Sequence, residues 1–525
     1  MLELCDPTLA ARDAAGWGIS DINLIAKALS KEVRNGGRMK QLTRREFCSL
    51  TAALGATALS APRRMIAQPT VLRVSLAVDL STSLAKVPAD FMGLSYESGQ
   101  LAYPDFFAPQ NTALIEMFRT LSPTGVLRLG GNLSEFTVWS DKEPAIPPDV
   151  DGLVGPDPGH REPRTFTITP RSIRNLQGFL DATGWRCIYG LNLGGGSLEQ
   201  ALAEGSFVAR TLGNQLICVQ FGNEPDLFKH RDKENKPWTY DEFLTRWRTL
   251  EAAFHEKLPQ VAVAGPDTAF NQRWVKQFTE DVPKKIVLVT SHYYPEGPPA
   301  DPTMNIDLLL HPGARFESSC REALDSAKAA GLPFRMSEGN SCFNAGKQGV
   351  SDTFASALWA GDFCLQMANL GCVGVNLHGG AHGFYSPIVG SIGSGFEARP
   401  EYYGLMLMQQ FAGRTLHRTT IDARGGNLTA YAAGGSSEKG LIAIFNKDAR
   451  DAEVTLTATA YDLKGASVER LEAPAIDSKL GVTFRGAAVG SDGLFHPRPG
   501  ELLNAQSGKL DVRVSGYSAA LIRLS

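Results

Sequence analysis

The stretch LICVQFGNEPDLF, Leu216 to Phe228, is an apolar, β-rich run that stops at a bare Asn223-Glu224 pair with Pro225 behind it. Downstream lies an amphipathic segment, Tyr240–Lys257, and then a second apolar run, Val261–Pro266. Strand, helix and strand in that order make a βαβ unit, and the unit recurs in both directions along the chain. The other runs are Phe91–Glu97, Gly125–Gly131, Arg186–Leu193, Ile286–His292, Pro333–Ser337 and Gly374–Leu377, with helical segments such as Ser197–Leu212, Glu317–Ala330 and Thr353–Leu370 between them. Eight such strands predict an α/β fold, a (β/α)8 barrel over 86–413. A doubly wound open sheet uses similar units, but its G-x-G-x-x-G phosphate fingerprint is absent. A Pro/Gly/Asp-rich loop, Glu143–Arg164, reads as a surface insertion.

Beyond Gly413 the texture changes to short alternating strands with Gly, Asn and Asp turns, such as GLIAIFNKD and AEVTLTATAYDL. Residues 414–525 are therefore expected to form a β-sandwich. The segment 68–85, containing TVLRVSLAVDL, is a similar strand ahead of the barrel and is expected to join that sandwich.

A chain of 525 residues with 43% hydrophobic and 20% charged residues suits a large globular domain plus a smaller one. A net charge of −3 gives no reason to expect nucleic acid as a partner, and no interior run is long enough for a stable membrane anchor. No Cys/His cluster has metal spacing, so neither a structural metal nor a cofactor is expected. MKQLTRREFCSLTAALGATALSAPRRMIAQP, from Met39, has the charged, apolar and small-residue regions of an export signal, with Arg44-Arg45 pointing to the twin-arginine route. This predicts a signal over 39–67, a periplasmic or secreted enzyme, and residues 1–38 as a start-site artefact. Cys187, Cys218, Cys320, Cys342, Cys364 and Cys372 read as small buried hydrophobes rather than bridged pairs.

Barrel enzymes carry their chemistry where strands end at the carboxyl face. The strand ends supply Glu97, Arg128, Asn132, Asn223-Glu224, His292-Tyr293-Tyr294, Glu338 and His378, whereas Asn192 and Asp267 are less distinctive. Glu224 ends the fourth strand and Glu338 the seventh. Paired carboxylates across a cleft are the minimum equipment for cleaving a glycosidic bond, one protonated and one ionised.

At this point the residues resemble a family. FGNEPDLF, SHYYP, SEGNSCFNAGKQGVSDTFASALWAGDF and YYGLMLMQQFAG are similar to glycoside hydrolase family 79, the β-glucuronidase and heparanase family of clan A. The resemblance implies Glu224 as general acid/base, Glu338 as nucleophile and Asn223 on the sugar 2-hydroxyl. It further implies Tyr293 or Tyr294 beside the nucleophile and Glu97 on the outer hydroxyls of the terminal sugar. A uronate carboxylate would then be held by backbone N–H groups of the loop Phe343-Asn344-Ala345-Gly346, with Tyr385 as a phenol donor. Phe343 departs from the tyrosine usual there. The implied substrate is a terminal β-linked glucuronic acid, free or 4-O-methylated, on a glycan or glycoconjugate. The alternatives are an endo-acting heparanase type, an exo-glycosidase for a neutral sugar, and a catalytically dead carbohydrate-binding barrel.

Overall fold

A computed structural model describes residues 71–525, apart from 145–164, 231–235, 312, 314–315, 381–382 and 436–437. The export signal, the segment before Met39 and most of the Glu143–Arg164 insertion lie outside the described residues.

Eight parallel strands close into a barrel: Met92–Glu97, Val126–Gly130, Arg186–Leu191, Leu216–Phe221, Val263–Thr268, Leu288–Tyr293, Phe334–Gly339 and Gly374–His378. They pair in chain order, and the eighth returns to the first with Val375 beside Met92 and His378 beside Ser95. All six residues of the fifth, sixth and seventh strands are buried. This is why the sequence shows continuous apolar runs rather than alternation. The helices are set by their own ends. Thr239 and Glu242 form a reciprocal capping box at the start of Tyr240–Lys257, and Ser197 caps Leu198–Leu212 through the Gln200 N–H.

The strand Leu72–Lys86 lies inside the second sheet, antiparallel to Thr415–Asp422 and parallel to Ala452–Thr459. Its alternation buries Leu72, Val74, Leu76, Val78 and Leu80 in a core shared with Ile442, Ile444, Val454, Leu456, Val512 and Ile522. The curled sheet wraps this core, and its other face carries Leu441, Ala443, Phe445, Ala519 and Leu521 into the barrel's own core. Leu441–Asn446 and Ser518–Ile522 are thus buried on both sides. The helix Phe354–Asn369, apolar nearly all round, meets this sheet from the barrel. Asp362, in its middle, forms a buried ion pair with Lys447 and accepts hydrogen bonds from Tyr431 Oη (2.7 Å) and Thr429 Oγ1 (2.6 Å). The six cysteines named above are free and buried.

Candidate active site

The carboxyl ends of the barrel strands converge on a buried cluster. Arg128, from the second strand and fully buried, is its hub. Its Nη1 donates to Glu338 Oε2 (2.6 Å) and Ser95 Oγ (3.2 Å), and its Nε to Gln220 Oε1 (3.1 Å). Its Nη2 donates to Asn223 Oδ1 (2.8 Å) and pairs with Asp267. Five donors, fixed in one plane, thereby orient groups from four strands. Glycine is required just beyond. A Cβ at Gly130 would run into the guanidinium, and one at Gly131, with φ +72°, would strike the Glu97 carboxylate.

Glu224 sits at φ +52°, in the left-handed region that a glutamate avoids, and its N–H donates to the Asp267 carbonyl (2.9 Å). Such a conformation costs on the order of 1–3 kcal/mol and persists where surrounding contacts over-determine it. His292 Nδ1 lies 2.9 Å from Glu224 Oε1 and 3.8 Å from Glu338 Oε1, while its Nε2 is 3.3 Å from Asp267 Oδ2. Ringed by three carboxylates, His292 is raised to about 10 despite burial. That favours the imidazolium, whose Nδ1 is hydrogen-bonded to Glu224 Oε1 while Nε2 faces Asp267 without a hydrogen bond. A Glu224 oxygen, a Glu338 oxygen and a His292 nitrogen lie within 4.8 Å of one another, the one such grouping among the described residues with the donor set of a metal site. An ion binding there would have to displace a proton from His292.

The two glutamates differ in environment. Burial raises Glu224, and its hydrogen bond from His292 only partly opposes this. Burial also acts on Glu338, but His378, His292, Arg128 and the Tyr294 phenol outweigh it and lower the group to about 2. Glu224 shares His292 with Glu338 and Asp267, whereas Glu338 also has Arg128 and His378 beside it.

Tyr294 Oη donates to Glu338 Oε1 (2.8 Å). Tyr293 does not enter the site: its ring stacks on Phe363 at 5.2 Å in the helix layer, so of the two tyrosines the structure selects Tyr294. Side chains alternate along a strand, and with His292 pointing inward Tyr293 must point out. Glu97 accepts from the Leu133 N–H (2.7 Å) and lies 3.7 Å from His378 Nε2, at the far side of Glu338. Asn223 Nδ2 donates to Asn132 Oδ1 (3.2 Å). Asn344, Ala345 and Gly346 occupy consecutive left-handed conformations, φ +56°, +66° and +83°. The Ala345 N–H reaches the Tyr385 phenol, which also bonds Tyr294. The Phe343 N–H is taken by the Glu296 carbonyl (3.2 Å), so this residue offers a ring rather than an amide.

Sequence reading underrated Asp267 and passed over Glu135 and Asn340. Glu135 is buried and accepts from the Gly194 N–H (2.6 Å) and from the N–H groups of Leu193 and Asn223. It thereby ties the loops after the third and fourth strands. Asn340 Nδ2 bonds the carbonyls of His378 (2.9 Å) and Tyr385 (3.3 Å) and reaches Glu401 Oε2 (3.2 Å), joining the loops after the seventh and eighth. For Asn340 the available signal was a polar residue directly beyond a buried strand end; Asp267 lies inside its strand and Glu135 in the turn past Gly130, so neither carried it.

Residues 230–364 match the family profile described as glycosyl hydrolase family 79, N-terminal domain. A β-glucuronidase of Neurospora crassa is 26% identical over 322 residues, 54% of this chain and 56% of that one, so the chain spans just over half the length of that relative. A β-glucuronidase of Aspergillus niger is 23% identical over 542 residues, covering 89% of this chain and 98% of that one. Among solved structures, a 4-O-α-L-rhamnosyl-β-D-glucuronidase from Fusarium oxysporum superposes with a TM-score of 0.70 at 18% identity, over 85% of this chain and 100% of that one. A family 51 arabinofuranosidase from Xanthomonas axonopodis gives 0.65 at 16%, over 86% and 100%. These two likenesses are likenesses of fold.

Proposed function

We propose that this chain, a glycoside hydrolase of family 79, releases terminal β-linked glucuronic acid from glycans or glycoconjugates by double displacement with retention. The observation that carries the mechanism is the unlike setting of two carboxylates whose oxygens lie within 4.8 Å. Retaining enzymes keep their carboxyl groups about 5–5.5 Å apart, whereas inverting ones leave roughly 6.5–9.5 Å for a water. Glu338, ionised and aimed by Arg128 and Tyr294, attacks the anomeric carbon. Glu224, kept protonated by burial, gives its proton to the leaving oxygen. Once Glu338 is esterified its negative charge is gone, so the repulsion that helped raise Glu224 disappears and Glu224 becomes a base for the incoming water.

On this reading Asn223 and Asn132 take the inner hydroxyls and Glu97 the outer ones. In the Asn344–Gly346 turn the Ala345 N–H holds the Tyr385 phenol, so the donors proposed for a carboxylate are the Asn344 and Gly346 N–H groups and that phenol, a backbone nest without a basic side chain. Hydrolysis of an aryl β-glucuronide, compared with the β-glucoside and β-galactoside, tests the reading. Faster turnover of the glucoside would refute the uronate assignment, and full activity in Glu338→Gln would refute the mechanism. Export by the twin-arginine route is part of the proposal and rests on Arg44-Arg45. An Arg44→Lys/Arg45→Lys precursor still reaching the periplasm would rule it out.

A further inference from the structure

The acid residue fixes where a leaving group must sit. Glu224 has to reach the glycosidic oxygen, so the aglycone lies on the Glu224 side of the cleft, beyond the sugar held against Glu338. Two loops on this side are tied to each other. Asp226, two residues past Glu224, accepts from the N–H groups of Ala269 (2.9 Å), Phe270 (3.1 Å) and Asn271 (3.1 Å). So held, Phe270 is nevertheless 42% exposed.

Phe270 is the outer end of a row of aromatic rings. Its centroid is 6.0 Å from that of Phe343, which is 6.5 Å from Tyr294, itself 6.3 Å from Tyr385. The two inner rings are buried and carry hydroxyls next to the nucleophile. The two outer rings carry none, and exposure rises outward through half-buried Phe343 to Phe270. Phe270 and Phe343 meet at 67°, which makes a corner offering one face and one edge. Three polar groups beside them are engaged: Asp226 on three N–H groups, the Glu296 carbonyl on the Phe343 N–H, and Lys347 Nζ on the Asp301 carbonyl (2.7 Å), while the buried Gln272 amide has no partner. Leu227, on the same tied turn, is 51% exposed.

We infer that Phe270 and Phe343 form the aglycone subsite and that the leaving group it fits is a flat aromatic one, such as a phenol. A planar ring can stack on one phenylalanine and meet the edge of the other, the two arrangements that aromatic quadrupoles favour. A second sugar would also need partners for its hydroxyls, and Asp226, the Glu296 carbonyl and Lys347 are already engaged. The inference rests on Glu224 being the acid and not on which sugar occupies the inner site.

The test compares kcat/KM for a naphthyl and a methyl glycoside of one sugar, in the wild type and in Phe270→Ala. The sugar is whichever of β-glucuronide, β-glucoside and β-galactoside the wild type turns over fastest. The naphthyl-to-methyl ratio should fall about five- to tenfold in Phe270→Ala, mainly through KM, and be kept in Phe270→Trp. An unchanged ratio overturns the subsite, as does an equal loss on both glycosides that Phe270→Trp shares. A disaccharide losing as much as the naphthyl glycoside overturns the aromatic choice. Should glucuronate not be the preferred sugar, the uronate reading fails while this comparison still stands.

Discussion

Glu224 and Glu338 are the same residue type a few ångströms apart, and their neighbours make them chemically different. The consequence is a definite pH profile. If Glu338 is the nucleophile it must be ionised, and with the group depressed to about 2, kcat/KM should fall on the acid side only as pH approaches that value. Glu224 is raised and must be protonated, so activity should fall as pH climbs through its elevated value, well beyond an ordinary carboxyl. Glu224→Gln should remove the alkaline limb while lowering kcat about 10²–10⁴-fold on substrates with poor leaving groups, read from pH–rate curves. Tyr294→Phe removes a buried hydrogen bond to an ionised group, worth about 1.5–3 kcal/mol, and should lower kcat roughly 10–100-fold. Tyr293→Phe should change kcat little, because that ring packs in the helix layer. If Tyr385 donates to a uronate, Tyr385→Phe should cut the glucuronide-to-glucoside ratio of kcat/KM by about tenfold.

At the level of elements, strands four and seven were legible because apolar runs ending in a polar residue have one reading in a barrel. Tyr240–Lys257 was legible from its period and its Thr239/Glu242 box. What could not be read was everything that depends on which side chains meet. Asp267 looked ordinary in GPDT, yet it takes hydrogen bonds from Arg128, Gln220 and Ser337, groups scattered over three other strands. Choosing between Tyr293 and Tyr294 required the inward or outward parity of the sixth strand. Asp362 is a further case, since nothing in FASALWAGDFCLQMAN reveals that its charge is met by Lys447 in the other sheet. Removing one partner leaves a buried uncompensated charge, so Asp362→Ala should destabilise the protein by about 3–5 kcal/mol in denaturant unfolding. Replacing both partners, with Asp362→Leu and Lys447→Met, should recover much of that loss.

For the molecule as a whole, the charged cluster links stability to pH. Asp267 and Glu338 titrate lower folded than unfolded, so they stabilise above their ordinary values of 3.8 and 4.5 and lose that contribution as pH falls. His292 titrates at about 10 instead of 6.5, so its contribution is complete below 6.5 and lost as pH rises to about 10. The thermal midpoint should therefore decline between pH 7 and 10, and less so in Glu338→Gln, where His292 has lost its foremost anionic neighbour. The strand Leu72–Lys86 carries a different implication, one about time. It precedes the whole barrel in the chain, yet its two neighbours are Thr415–Asp422 and Ala452–Thr459. On the ribosome it must wait, with five large apolar side chains unmated, until nearly everything else has been made. The barrel can close as soon as its eighth strand emerges, whereas the second sheet is obliged to finish last, by recapturing the segment made before the barrel.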